Sequence, residues 1–172
     1  MTVSAWPKAA TSAGSIDSAS VKAAETVGAA SRGFDAGKKI NGRKRHIAVD
    51  TLGLLICVLV TSAGMQDRVA ARNLLARLRN VCPSIRHLWA DSGYTGTLIT
   101  WARTLLGLTV EIVAKLAGQT GLVVLRRRWV VERTLAWINQ HRHCVRDYER
   151  LPEHHEAIVR WAVIHTTSKR LS

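Results

Sequence analysis

The sequence predicts an α/β fold: a mixed five-stranded sheet with helices on its faces. Three observations lead there. Between residues 12 and 60, apolar or alternating runs are separated only by turn and loop residues, which makes the first three strands antiparallel neighbours. From Asp67 onward, strand-like runs alternate with segments of helical period, and a strand reached through a helix returns parallel to its neighbour. Finally, 172 residues with 47% hydrophobic content suffice for one buried core, so a single domain is expected.

Residues 1–13 read as an irregular lead-in and 14–172 as the domain. "GSIDSASV" is the first strand and carries Asp17. Ser31 to Lys44 reads as a loop, with Gly33, Gly37 and Gly42 among its charges. "RHIAVD" alternates as a strand should, Asp50–Gly53 is a turn, and Leu54–Val60 is apolar on both faces, as in a central strand. Asp67 is positioned as the N-cap of a helix whose buried stripe is Ala70, Ala71, Leu74, Leu75 and Leu78. "IRHLWAD" is the fourth strand and ends at Asp91. Leu98, Trp101, Ala102, Leu105 and Leu106 then recur at helical spacing. "LTVEIVA" is the fifth strand, and "GLVVL" is a candidate short one. A helix follows over "RRRWVVERTLAW" with Val131, Leu135 and Ile138 on its inner side. The last helix starts near Pro152 and is expected to bury Ile158, Trp161, Ala162 and His165. This order of elements is also that of a ribonuclease-H-like fold.

The charge balance narrows the function. Lys and Arg number 25 against 12 Asp and Glu, a net +13. The excess is shared by both halves, which points to a folded surface that meets a polyanion, with nucleic acid favoured over an anionic membrane. The longest uncharged stretch, Thr51 to Gln66, is shorter than the roughly 20 apolar residues that a membrane helix needs. Cys57, Cys82 and Cys144 are widely spaced with no CxxC pair, which fits reduced thiols in a cytoplasmic protein and excludes a zinc finger or disulfide scaffold.

In a ribonuclease-H-like sheet the first strand runs down the middle with the fourth beside it, so Asp17 and Asp91 converge and Glu132 reaches them from the late helix. Three such carboxylates can hold two divalent cations about 3.5–4 Å apart, and hard oxygen ligands suit Mg2+ or Mn2+. The competing reading makes Glu132 an ordinary ion-pair partner of Arg128 or Arg133.

"IDSASVK", "RGFDAGKKINGRKRHIAVDTLGLL", "ADSGYTG" and "RRWVVERTLAWINQ" occur in this order, and together they resemble the catalytic domain of bacterial insertion-sequence transposases of the DDE group called insertion sequence four/five. The resemblance runs from about Ser12 to the C-terminus. It implies that Asp17, Asp91 and Glu132 are a catalytic, metal-binding triad on a two-metal site. It implies hydrolysis at the element's ends to expose a 3′-hydroxyl, then attack of that hydroxyl on target DNA. The implied partners are double-stranded DNA, both element ends and target, and further copies of the chain on that DNA; the implied setting is the nucleoid. Arg128 fits the signature arginine four residues before Glu132, while Leu125 and Asn139 stand where related enzymes often have a tyrosine and a basic residue. Related enzymes usually carry a helical end-recognising region before the first aspartate, and 16 residues precede Asp17 here. The expectation is therefore the second half of a frameshift-expressed transposase, working with an upstream-frame product, or a truncated copy. The alternatives are an inactive DNA-binding remnant and a ribonuclease-H-type nuclease.

"GKKINGRK" has the glycine spacing of a phosphate-binding loop, but Arg43 and Lys44 replace its Lys-Ser/Thr pair and a strand follows. Lys38, Lys39, Arg43, Lys44 and Arg45, with Arg127, Arg128 and Arg133, are expected to contact DNA phosphates. His141, His143, His154 and His155 lack a metal-ligating pattern. Trp129 and Trp137 read as core residues, with stacking on an unpaired base as the alternative. Asp50 and Asp67 read as turn and cap residues.

Overall fold

The computed structural model describes residues 11–114, 125 and 127–171. Six strands form one sheet: β1 (Ala13–Lys22), β2 (Gly33–Asp35), β3 (Ile40–Asp50), β4 (Leu55–Ser62), β5 (His87–Ala90) and β6 (Thr109–Ile112). β1 lies between β3, its antiparallel partner, and β5, its parallel partner, and β6 continues parallel to β5. The outer edge of β3 is shared by β2 at one end and β4 along the rest. This is the expected mixed sheet of a ribonuclease-H-like fold. The short strand β2 is an addition, lying within what the sequence presents as loop. "GLVVL" falls almost wholly outside the described residues.

Helices cover both faces because the strands alternate. Ala48 and Ile16 face a core built with α1 (Asp67–Val81) and with α2 (Thr97–Trp101), which runs on as a π-helical turn, Ala102–Leu106. Ile47, Val49, Val58 and Val60 face the opposite core, closed by α3 (Trp129–Asn139), α4 (Arg142–Val145) and α5 (Pro152–Leu171). The buried stripe of α1 is Ala70, Ala71, Leu74, Leu75 and Leu78, as its 3.6-residue period requires. Val131, Leu135 and Ile138 are likewise buried on α3. Two stripes differ from expectation. The wider π turn carries Leu105 out to 68% exposure. On α5, Trp161 is 70% exposed and His165 is exposed too, while His155, Glu156, Val159 and Ala162 turn inward. Polar residues occupy that stripe because buried partners await them: His155 meets Asp147 at 3.1 Å, and Glu156 accepts from the Val60 N–H and pairs with Arg77.

β3 is where the sequence misleads most. Sheet neighbours flank it and helices lie over both faces, so every residue from Gly42 to Asp50 is buried, basic ones included. Arg43 is fully enclosed. It donates to Asp147, Ser31 Oγ and the carbonyls of Ser31, Glu149 and Arg150, and so is a structural cation. Arg45, on the same face, donates to Cys144 O and Asn139 Oδ1. Lys44 points the other way, towards Met65 O, Asp67 and Asp35. Buried, partnered cations do not reach phosphates, so Arg43 and Arg45 are removed from the DNA-contact set, and Lys44 has its ammonium engaged inside the protein.

Candidate active site

The parallel pairing of β1 with β5 sets two aspartates side by side. Ser15 is in register with Trp89, and Asp17 and Asp91 each stand two residues further along their strands, at the carboxyl end of β5. Each is oriented by a local backbone donor. The Ser18 N–H binds Asp17 Oδ1 at 2.7 Å, and the Gly93 N–H binds Asp91 Oδ1 at 2.8 Å as the chain turns into the short helix Ser92–Tyr94. In both residues the other oxygen, Oδ2, is left facing a common centre.

Glu132 arrives from the first turn of α3. Ser15 Oγ donates to Arg127 O at 2.7 Å, which ties β1 to the turn before this helix, where Arg127 has a left-handed backbone with φ 73°. At the other edge Thr134 Oγ1 donates to Gly53 O at 2.8 Å and Arg133 donates to Leu52 O at 2.6 Å, docking α3 on the β3–β4 turn. Gly53 has φ 88°, and a Cβ there would fall 2.8 Å from the Arg133 guanidinium. The turn thus needs glycine for its conformation, and a side chain there would also crowd α3.

The three carboxylates meet on one cation. Arg128 Nη2 lies 3.1 Å from Glu132 Oε1, 3.7 Å from Asp17 Oδ2 and 3.9 Å from Asp91 Oδ2. Asp17 is the most enclosed. Burial pushes its carboxyl up to about 6, with Asp91 and Glu132 adding, against the lowering effects of the Ser18 N–H and Arg128. Among the described residues no three His, Cys, Asp or Glu side chains are grouped closely enough to form a ready metal cage; the acids are gathered through Arg128. The donor set is nevertheless the one hard divalent cations take: three carboxylates with one oxygen each turned inward, already drawn around a positive charge.

The family model described as the transposase DDE domain matches residues 8–166. The chain belongs to this family. The DDE-domain chain is also 30% identical to the candidate transposase for insertion sequence element IS402 of Burkholderia cepacia, an alignment covering 69% of this chain and 59% of that relative. The chain therefore spans less than two thirds of the relative's length.

The remaining expected site residues of this transposase-family domain separate by exposure. Lys38 and Lys39 are exposed on the β2–β3 turn, and Arg127 is exposed with its guanidinium 4.8 Å above the Trp89 ring. Arg133 is stacked between Trp129 and Trp137, 4.4 and 4.5 Å from their centroids, so much of its charge serves the helix face. Trp129 remains 40% exposed at the end of α3 nearest Glu132. His141 bonds Thr166 and packs edge-on against His165. Asp50 accepts from the Leu52 and Leu54 N–H groups, as its turn role requires. Asp67 departs from its cap role: Gln66 holds the cap position without a side-chain bond, and the Asp67 carboxylate reaches Ser18 instead. Helical spacing locates Asp67 at the start of α1 but does not signal that contact. No helix among the described residues is long and apolar enough to cross a membrane.

Proposed function

We propose that this chain is the catalytic domain of an insertion-sequence transposase, cutting DNA strands at the element's ends and joining the freed 3′-hydroxyl to target DNA. One observation carries the reading: carboxylates from β1, the end of β5 and α3 converge on a single cation. Asp17, Asp91 and Glu132 would hold the Mg2+ or Mn2+ ions, Asp17 and Asp91 at the activating site and Glu132 completing the second. Bound there, a metal pair supplies activation of the attacking oxygen and stabilisation of the leaving one.

The protein's own groups prepare this chemistry. The Ser18 and Gly93 N–H groups fix the rotation of the two aspartates, so that little reorganisation is left for the reaction. Arg128 offsets mutual repulsion among the acids until they take up metal. Lys38, Lys39 and Arg127 are exposed cations for phosphates, which hold a duplex in place without reading its sequence. The partners in this reading are double-stranded DNA, further copies of the chain assembled on it, and an upstream-frame product that recognises the element's ends; the setting is the cytoplasm, at the nucleoid.

The test is incubation of an end-labelled duplex carrying an insertion-sequence end with the chain and the upstream-frame product. Strand cleavage at the element boundary is expected with Mg2+ or Mn2+ and not with EDTA. Cleavage confined to the RNA strand of an RNA–DNA hybrid would instead identify a ribonuclease-H-type nuclease. Duplex binding without cleavage under any of these conditions would identify an inactive remnant.

A further inference from the structure

Asp67 lies outside the three-carboxylate centre, yet it is hydrogen-bonded to the residue that orients one of its members and lies beside the residue that orients another. Its Oδ1 accepts a hydrogen bond from Ser18 Oγ at 2.8 Å, and Ser18 is the residue whose N–H holds Asp17. Its Oδ2 lies 3.7 Å from the position a Cβ on Gly93 would take, and the Gly93 N–H holds Asp91. The carboxylate is itself fixed from behind. Lys44 Nζ, nearly buried, stands 3.3 Å away, and the enclosed ring of His46 stands 3.8 Å away. Burial holds His46 down to about 4, so it is neutral at pH 7 and Lys44 is the operative counter-charge. Tyr94, close to Asp91 in sequence, is completely buried, and burial keeps its phenol protonated. A polar cavity of about 510 Å³, lined by Asp35, Lys44, Asp67, Ser92 and Gly93 among others, opens on this side.

We propose that Asp67 is a positioning residue of the carboxylate centre. By anchoring Ser18 it fixes the N–H that sets the rotation of Asp17, and Lys44 holds Asp67 in place. This rests on the metal-centre reading above. Removing Asp67 leaves the Ser18 hydroxyl without its acceptor and Lys44 without its nearest carboxylate, so Asp17 loses its fixed rotation while remaining in the chain. Partners that orient metal ligands in this way typically change metal affinity or activity by about 10–100-fold.

The experiment measures Mn2+ binding to the DNA-free protein by the electron paramagnetic resonance of free Mn2+, with thermal unfolding in EDTA as the control. Asp67→Ala and Ser18→Ala are each expected to raise the Mn2+ Kd by about tenfold or more, with a folded metal-free protein. The double variant should be no weaker than the worse single one, because both act through the same bond. Asp67→Asn keeps the acceptor and should recover most of the affinity. Should Asp67→Ala not fold, Ser18→Ala decides, since it leaves the Lys44–Asp67 pair intact. Wild-type affinity in Ser18→Ala and in any folded Asp67→Ala, or losses that multiply in the double variant, would overturn the positioning role alone. A wild type that takes up no Mn2+ would overturn the metal-centre reading beneath it.

Discussion

At the scale of single residues, the surroundings of Asp17 work against the fold at neutral pH. Its carboxyl is raised from 3.8 to about 6, chiefly by burial. Between these values the folded chain holds a proton that the unfolded chain has released, so Asp17 makes stability fall as pH rises through that window. The loss is complete above pH 6 and amounts to at most about 3 kcal/mol, at 1.36 kcal/mol per pH unit. Asp35 and Asp147 have lowered values and act in the opposite direction at lower pH. The difference between wild type and Asp17→Asn therefore isolates the effect. In EDTA, Asp17→Asn is expected to unfold at a higher temperature than wild type at pH 7 and to converge with it near pH 4. Thermal melts across that range check this, and parallel profiles would contradict it. The places of the carboxylates, Asp17 within the first strand, Asp91 at the end of another and Glu132 in the first turn of a helix, were legible from the order of elements. Arg128 was legible as a signature arginine but not as the hub of all three acids, because that contact depends on how the turn before α3 is tied to Ser15.

At the scale of elements, periodicity served well where apolar residues alone decide burial, as on α1 and α3. It failed where buried polar pairs substitute for them. The stripe of α5 runs through His155 and Glu156 because Asp147 and Arg77 await them, leaving Trp161 outside. The basic run Arg43–Arg45 failed as a surface motif for the same reason: it lies on a strand covered on every side. Arg43→Ala would leave the fully buried Asp147 with His155 and the Glu149 N–H but without its guanidinium, and is expected to cost about 3–5 kcal/mol. Lys38→Ala and Lys39→Ala, on an exposed turn, should change stability by no more than about 0.5 kcal/mol. Urea unfolding of the three variants makes the comparison. Equal small effects would show that the Arg43–Asp147 pair is not the anchor of β3.

At the scale of the whole molecule, the net charge of +13 is partly spent inside the protein, on Arg43, Lys44 and Arg45, and the surface cations near the carboxylates are fewer than the sequence suggests. Duplex DNA binding is still expected to weaken steeply with salt, since each neutralised phosphate releases counterions. The double change Lys38→Ala, Lys39→Ala should lower the salt slope by about 2, at about 0.9 per phosphate contact, and weaken all sequences alike. Fluorescence anisotropy at several salt concentrations measures both, and an unchanged slope would remove these lysines from the interface. The β1–β5 adjacency that brings Asp17 and Asp91 together was legible from element order; the short strand β2 was not, because three residues among glycines and charges carry no period. In the proposed function Glu132 serves a metal centre and is more than a partner for Arg128. An exposed ion pair contributes about 0–1 kcal/mol, so as a pair alone Glu132 would be dispensable, whereas Gln keeps its shape and removes the charge that holds a cation. The deciding measurement is Mg2+-dependent cleavage of an element-end duplex by wild type and Glu132→Gln at matched DNA occupancy. Unchanged DNA affinity with cleavage reduced by at least about a hundredfold is expected, and equal cleavage by an active wild type and Glu132→Gln would contradict the metal role of Glu132.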